Sequence, residues 1–225
     1  MRPSSTCICK HISPFKTKAR FIILMHPKEY KKEKNGTGHM TKLQLKNSEI
    51  IVGVDFTNNL RVNEILTKEK NSFLLYPGKD NFNLSIRESS EINSFMGTNP
   101  HIFILDGTWP CARKMLKLSK NLQNLKRVSF DNKIKSKFII KQQPNSLCLS
   151  TIESVYTVLN LLKEGDLEQC ETKDFLIPFE KMIEHQLEYL LNPNSKNYSS
   201  TAKKTIITKD MYKKSTERNI IFELE

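Results

Sequence analysis

No run among the 225 residues approaches the roughly 18 consecutive apolar residues that a membrane-spanning helix requires, and no secretory apolar segment opens the chain. A soluble protein is therefore expected. Cysteine is sparse and odd in number: Cys7, Cys9, Cys111, Cys148 and Cys170 are scattered, which fits a reducing cytoplasm better than a disulfide framework. Acidic residues are also in deficit, 24 against 36 Lys plus Arg, for a net charge of +12. An excess of that size favours a polyanion such as RNA or DNA, through phosphate contacts and counterion release, while lysine-loaded surfaces account for the same number without a partner. A glycine-rich phosphate cradle, a zinc-peptidase helix and a serine-hydrolase elbow are all missing, which removes the common NTPase and peptidase chemistries.

What is present is an alternation of short apolar runs and helical segments. Strands are expected in "ARFIILMHP", in the later part of "TKLQLKNSEIIVGVDF" after a short helix, and in "SFLLYPG", "HIFILDG", "LKRVSF" and "KFIIKQQP". Helices are expected in "VNEILTKEK", at 90–96, at 109–119, at 150–165 and in "DFLIPFEKMIEHQLEYLLN", while "KEYKKEKNGTGHM" reads as an exposed loop. This order predicts an α/β domain with a mostly parallel sheet and flanking helices. Three units are expected: a basic, cysteine-containing segment at 1–18, a main domain at 19–192 and a lysine-rich tail at 193–225.

In open parallel sheets ligands lie beyond the carboxyl ends of the strands. Three expected strand exits, Met25-His26-Pro27, Leu75-Tyr76-Pro77-Gly78 and Leu105-Asp106-Gly107-Thr108-Trp109, are joined as candidates by the helix start at Ser150. Asp106 is either a helix cap or a carboxylate in partly apolar surroundings, where its basicity rises; Thr108 is an alternative cap. Trp109, the single tryptophan, either packs beneath its loop or stacks on a base. Ser150 and Thr151 open a helix whose N–H groups attract a carboxylate or phosphate, and Glu153 completes a capping box that explains Ser150 equally well. His26 with Glu29 is an acid/base pair or a polar strand end. Cys7, Cys9 and His11 offer three zinc ligands where a structural site needs four, so zinc stays open and no metal ligands are assigned.

Taken in order, "RPSSTCIC", "LMHPKE", "LLYPG", "DGTWPCARKML" and "CLSTIES" resemble the DTW-domain family, whose name matches Asp106-Thr108-Trp109. The matching motifs run from Arg2 to about Ser154. The resemblance implies a fold akin to SPOUT-type RNA methyltransferases, with a knotted C-terminal half. It also implies a reaction: transfer of the 3-amino-3-carboxypropyl group of S-adenosylmethionine, as co-substrate, to N3 of a tRNA uridine, releasing methylthioadenosine. For that reaction uridine N3 needs a positioned general base, for which Asp106 at its strand exit is the choice, and by analogy Leu75, Tyr76, Pro77, Leu105, Gly107, Thr108, Trp109, Leu149, Ser150 and Thr151 hold the donor. His26, Glu29 and Glu153 support them, and Lys28, Lys31, Lys32, Lys34, Arg113, Lys114 and Lys117 grip tRNA. The rival expectations are a SPOUT-like RNA methyltransferase and a non-catalytic RNA-binding protein. Two departures accompany the resemblance. Relatives carry further cysteines ahead of the Arg2–Cys9 element, and Gly36-Thr37-Gly38-His39 stands where they show Asn-Thr-Gly-Arg, exchanging a permanent cation for a titratable ring.

Overall fold

A computed structural model of the chain describes residues 7–32, 36–78, 80–132, 136–138, 148–192 and 194. Strands β1 (Arg20–Met25), β2 (Glu49–Val52), β3 (Ser72–Leu75), β4 (Phe82–Asn83), β5 (His101–Asp106) and β6 (Lys126–Ser129) form one sheet in the order β2-β1-β5-β3-β6-β4. Every neighbouring pair is parallel. The central strands read as nearly unbroken apolar runs, RFIILM and HIFILD, because helices cover both of their faces and leave no solvent side for polar residues. The edges are short: β2 has four residues, three half-buried and Val52 exposed, and β4 only two.

Among the described residues eight α-helices flank the sheet: α1 (Pro27–Lys32), α2 (Thr37–Gln44), α3 (Leu60–Lys68), α4 (Ser89–Met96), α5 (Trp109–Leu118), α6 (Lys120–Gln123), α7 (Thr151–Glu164) and α8 (Ile177–Leu191). One face, carrying Phe21, Phe73, Ile102, Ile104 and Val128, packs on Met40 of α2, Ile92 and Met96 of α4, Val155 and Leu159 of α7, and Phe179 of α8. The other, carrying Ile22, Leu24, Leu74 and Phe103, packs on Val62 and Ile65 of α3, Met115 and Leu116 of α5, and Leu122 of α6. The odd–even split of each strand between these cores follows from the two-residue period of its side chains.

The connections obey one rule of hand. Crossovers that move toward the β2 edge, β1 to β2 through α2 and β4 to β5 through α4, use the first face. Those that move toward the β4 edge, β2 to β3 through α3 and β5 to β6 through α5, use the second. Reversing both direction and face preserves handedness, so these four helix-bearing crossovers, of the five connections, share a single hand, as parallel sheets require. The chain leaves β1 and β5, which are neighbours, in opposite directions. Their carboxyl ends therefore form the switch point where a crevice opens in folds of this kind.

Two expectations need correcting and one lies out of reach. The described residues of "KEYKKEKNGTGHM" do not form an exposed loop: they contribute most of α1 and the start of α2, a helix in which Thr37, Gly38, Met40, Thr41 and Gln44 are buried. Pro27 suits the first turn of α1, where a missing N–H costs nothing. The polar residues of α2 are buried because they are satisfied: Thr41 donates to the Thr37 carbonyl at 2.9 Å, and Gln44 accepts from Ser13 N–H and donates to the Phe175 carbonyl at 3.1 Å. The last helix begins at Ile177 rather than Asp174, with Pro178 in its first turn. The strand expected in "KFIIKQQP", and with it the path a knot would follow, falls largely on residues 139–147, outside the described residues.

The segment before β1 packs against the domain. Ile8 joins the first core, the Phe15 ring meets Phe175 edge-on at 5.9 Å, and the buried Glu168 carboxylate accepts the N–H groups of Lys18 and Ala19 at 2.8 and 3.0 Å.

Candidate functional site

β5 ends on Asp106, which pairs with Met25 at the end of β1, and the His26 N–H donates to the Asp106 carbonyl at 2.9 Å. The carboxylate thus sits on the rim at the switch point, 8% exposed. By strand alternation it faces the first side of the sheet, where α2 and α7 start. Thr151, the first residue of α7, donates its hydroxyl to Asp106 Oδ1 at 2.5 Å, a short charge-assisted bond. From the other direction Gly38, in the first turn of α2, lies so close that a Cβ there would overlap Asp106 Oδ2 and the Met25 methyl group. Two helix N-termini therefore meet one carboxylate, and their partial positive ends favour its charge.

The start of α7 is itself braced. Ser150 and Glu153 form a capping box in which the Ser150 N–H and hydroxyl both donate to Glu153 Oε2, at 2.9 and 2.6 Å. The same buried carboxylate accepts the Ser136 hydroxyl at 2.8 Å and the Lys137 N–H at 2.7 Å. Lys137 reaches Glu180, and its pKa is raised chiefly by that hydrogen bond; the Phe138 ring meets Phe179 edge-on at 5.3 Å. Glu153 is therefore the peg that holds residues 136–138 and the α7 start in one piece. Both hydroxyls at this helix start are engaged internally, Ser150 with Glu153 and Thr151 with Asp106. An anion arriving here would meet first-turn backbone N–H groups, which have no intrahelical acceptor.

Thr108 is the residue preceding α5, but its side chain makes no capping hydrogen bond, and Pro110 occupies the first turn. Gly107 at the crest of the rim is closely flanked: a Cβ would lie 3.2 Å from that of Cys111 and 3.4 Å from that of His26. Beyond it the chain passes to the second side of the sheet. There Trp109 packs on the core and meets Tyr76 edge-on, with centroids 6.3 Å apart. The Arg127 guanidinium lies 5.9 Å from the Tyr76 ring centroid, and a Cβ on Gly78 would touch its Nη1. Burial raises the Tyr76 pKa, and the charges of Arg113 and Arg127 partly offset the rise.

The candidates named from sequence thus divide between two sides of one rim. Asp106, Ser150, Thr151 and Glu153 converge on the first, with Leu75 packed against its core. Tyr76, Leu105 and Trp109 belong to the second, and His26 is buried beside Gly107 at the crest. Leu149 is half-buried at the approach to α7, and Glu29 is half-buried on α1. Lys28 and Lys31 are exposed on α1, as are Arg113, Lys114 and Lys117 on α5; the Lys32 side chain and Lys34 lie outside the described residues. Cys7 Sγ accepts the Cys9 N–H at 3.4 Å, and among the described residues no three His, Cys, Asp or Glu side chains converge as metal ligands would. No helix among them is long and apolar enough to cross a membrane.

Gly38 and Arg127 were not singled out as candidates. The first stands in the Gly36–His39 motif, which marked it in the resemblance. The second is a cation whose register partner on β3, Leu74, is fully buried in the second core, which sets its side chain along that face.

The family model described as the DTW domain matches residues 1–187. Similar proteins include three called tRNA-uridine aminocarboxypropyltransferase 2. The one from Macaca fascicularis is 25% identical over 197 residues, covering 84% of this chain and 62% of its own length. The one from Mus musculus is 23% identical with the same coverage. The one from Drosophila melanogaster is 29% identical over 195 residues, covering 83% of this chain and 73% of its own. The chain therefore spans less than two thirds of the macaque and mouse relatives. No solved structure matches it.

Proposed function

Because the chain belongs to the DTW-domain family, we propose that it modifies tRNA, transferring the 3-amino-3-carboxypropyl group of S-adenosylmethionine to N3 of a uridine. The observation that carries this is the 2.5 Å bond between Asp106 and Thr151, which joins the Asp106-Gly107-Thr108-Trp109 turn to the Cys148–Glu153 segment in one crevice. The names of the similar proteins point to the same reaction.

The crevice suits a sulfonium amino acid. An anion at Asp106 complements the donor's positive centres, first-turn N–H groups of α7 complement its carboxylate, and half-buried Leu75 and Leu149 offer apolar walls for its adenosine. The donor supplies a carbon already activated by the departing sulfur. Uridine N3 holds a proton and is a poor nucleophile until it leaves, so a positioned acceptor is required, and Asp106 is that acceptor. N3 then bonds to the γ-carbon as the carbon–sulfur bond breaks. The electron pair stays on sulfur as neutral methylthioadenosine, and the proton stays on Asp106. Thr151 fixes the carboxylate's rotation, and Glu153 holds the neighbouring Ser150 at the helix start. Orientation decides which of the three sulfur–carbon bonds breaks. Exposed Lys28, Lys31, Arg113, Lys114 and Lys117, together with Lys32, hold tRNA.

Incubation with tRNA and S-adenosylmethionine labelled in both the methyl and the aminocarboxypropyl groups tests the reading. Methylthioadenosine and a label in N3-substituted uridine are expected; S-adenosylhomocysteine instead makes the protein a methyltransferase. Asp106→Asn should lower transfer by about 10²- to 10⁴-fold with the donor still bound. Loss of donor binding as the only defect would make Asp106 a ligand-holding group instead.

A further inference from the structure

Five arginines lie among the described residues, and three are paired: Arg20 with Glu49, Arg61 with Glu49 and Glu64, and Arg87 with Glu91. Arg113 and Arg127 meet no carboxylate among the described residues, and the charges of both act on the same tyrosine, Tyr76. Arg127 comes from β6 and lies over the Tyr76 ring, whose edge-on contact with Trp109 keeps it in place. Arg113 stands on α5 four residues after Trp109 and four before Lys117, so the three share one helix face. Arg113 and Lys117 are exposed. A guanidinium held against an aromatic face keeps its fork of N–H donors aimed outward, and without a carboxylate partner that fork awaits an anion.

The cluster lies across the Gly107 crest from Asp106, on the α5 side of the sheet. A donor carboxylate is a single anion and belongs with the α7 start on the other side. A row of three cations along one ridge fits a chain of anions.

We propose that Arg127, Arg113 and Lys117, braced on Tyr76 and Trp109, form a strip that binds the phosphodiester backbone of the RNA substrate. The strip positions the RNA on the α5 side of the rim while the donor occupies the α7 side, and it rests on the tRNA-modifying reading above. Arg127 and Arg113 are positioning residues, acting through the backbone of the RNA and not on the reacting atoms.

The test measures binding of labelled tRNA by fluorescence anisotropy over a salt series, with donor binding followed separately by calorimetry. Arg113→Ala and Arg127→Gln should each weaken tRNA binding, and together by more than about tenfold. Each lost contact should reduce the slope of log affinity against log salt by about 0.7 to 0.9. Donor affinity should not change, and in the transfer assay KM for tRNA should rise while kcat holds. Arg127→Lys should restore most of the salt slope, which a merely structural defect would not. Unchanged tRNA affinity and slope overturn the proposal. So does weakened donor binding with intact tRNA binding, which would assign the pair to the donor carboxylate. Arg113→Ala and Arg127→Lys decide the matter if Arg127→Gln fails to fold. Should the wild-type protein bind tRNA through this strip yet transfer nothing, the enzymatic reading falls and the strip stands.

Discussion

Gly38→Ala sets two effects of opposite sign against each other. Gly38 is the second residue of α2, and its φ is not in the left-handed region, so helix propensity alone favours alanine by at most about 1 kcal/mol. The added methyl, however, would overlap Asp106 Oδ2 and come within 2.8 Å of Met25 Cε. The methionine end is flexible and can yield. The carboxylate is tied to Thr151 at 2.5 Å on a strand whose carbonyl is engaged by His26 N–H, and it moves only by giving up the hydroxyl bond. A hydrogen bond to a charged group contributes about 1.5 to 3 kcal/mol, so the net change should be destabilising by about 0.5 to 2 kcal/mol. For a domain of this size that lowers Tm by roughly 1 to 8 °C. Thermal melts followed by circular dichroism measure it, and under the role proposed for Asp106 turnover should fall further than stability does, since the carboxylate is turned. Combined with Thr151→Val the two losses should be sub-additive by at least about 0.5 kcal/mol, because both variants break one bond. A melting temperature that rises, with turnover intact, would refute both the close approach and the role given to the carboxylate's orientation.

Glu168→Ala would leave the N–H groups of Lys18 and Ala19 without their acceptor beneath the chain's entry to β1. A loss of about 2 to 5 kcal/mol in urea unfolding is expected, and a value under about 1 kcal/mol would mean that water replaces the carboxylate. His101, at the amino end of β5, has its pKa lowered from 6.5, first by burial and then by Arg20, with Glu69 pulling the other way. The unfolded chain therefore takes up the proton first, so the stability tied to the neutral ring is full above about pH 6.5 and is lost as pH falls through the depressed folded value. Melting temperatures of wild type and His101→Gln should accordingly converge on acidification; curves that stay parallel would show that the ring does not titrate against folding.

The parallel sheet was legible because its evidence is local. Runs such as FIILM and IFIL can be buried on both sides only in a sheet covered twice, and Pro or Gly closes several of them. The α7 start was legible for the same reason, since Ser150 and Glu153 announce a cap by spacing alone. The approach of α2 was not. Thr41 and Gln44 look like surface residues until their partners Thr37, Ser13 and Phe175 are known, and Gln44 is bonded to a residue 131 positions away. Nor could sequence say that Asp106 and Trp109, three residues apart, fall on opposite sides of the sheet. That follows from which strand residue faces which helix layer, a property of register and of the two-residue period taken together.

The two rims of the sheet also bear on whether the +12 charge is merely a lysine-rich surface. At the amino ends of the strands, positive groups are answered nearby. Arg20 and Arg61 share Glu49, whose pKa burial would raise but which these two cations hold below its usual value, and Arg61 and Lys68 share Glu64. His101 faces Glu69 across 3.9 Å. At the carboxyl ends the buried carboxylates Asp106 and Glu153 are engaged by hydroxyls and backbone N–H groups, and Lys137 is answered by Glu180, while Arg113 and Arg127 have no acidic partner among the described residues. What generic loading with lysine does not account for is two arginines beside one tyrosine left without a carboxylate. Loading of that kind would also leave the salt dependence of RNA binding indifferent to which cation is removed. Replacing Arg61, exposed but paired, should leave the slope where it was, and replacing Arg113, equally exposed but unpaired, should lower it; equal effects from both would return the charge to a generic surface property.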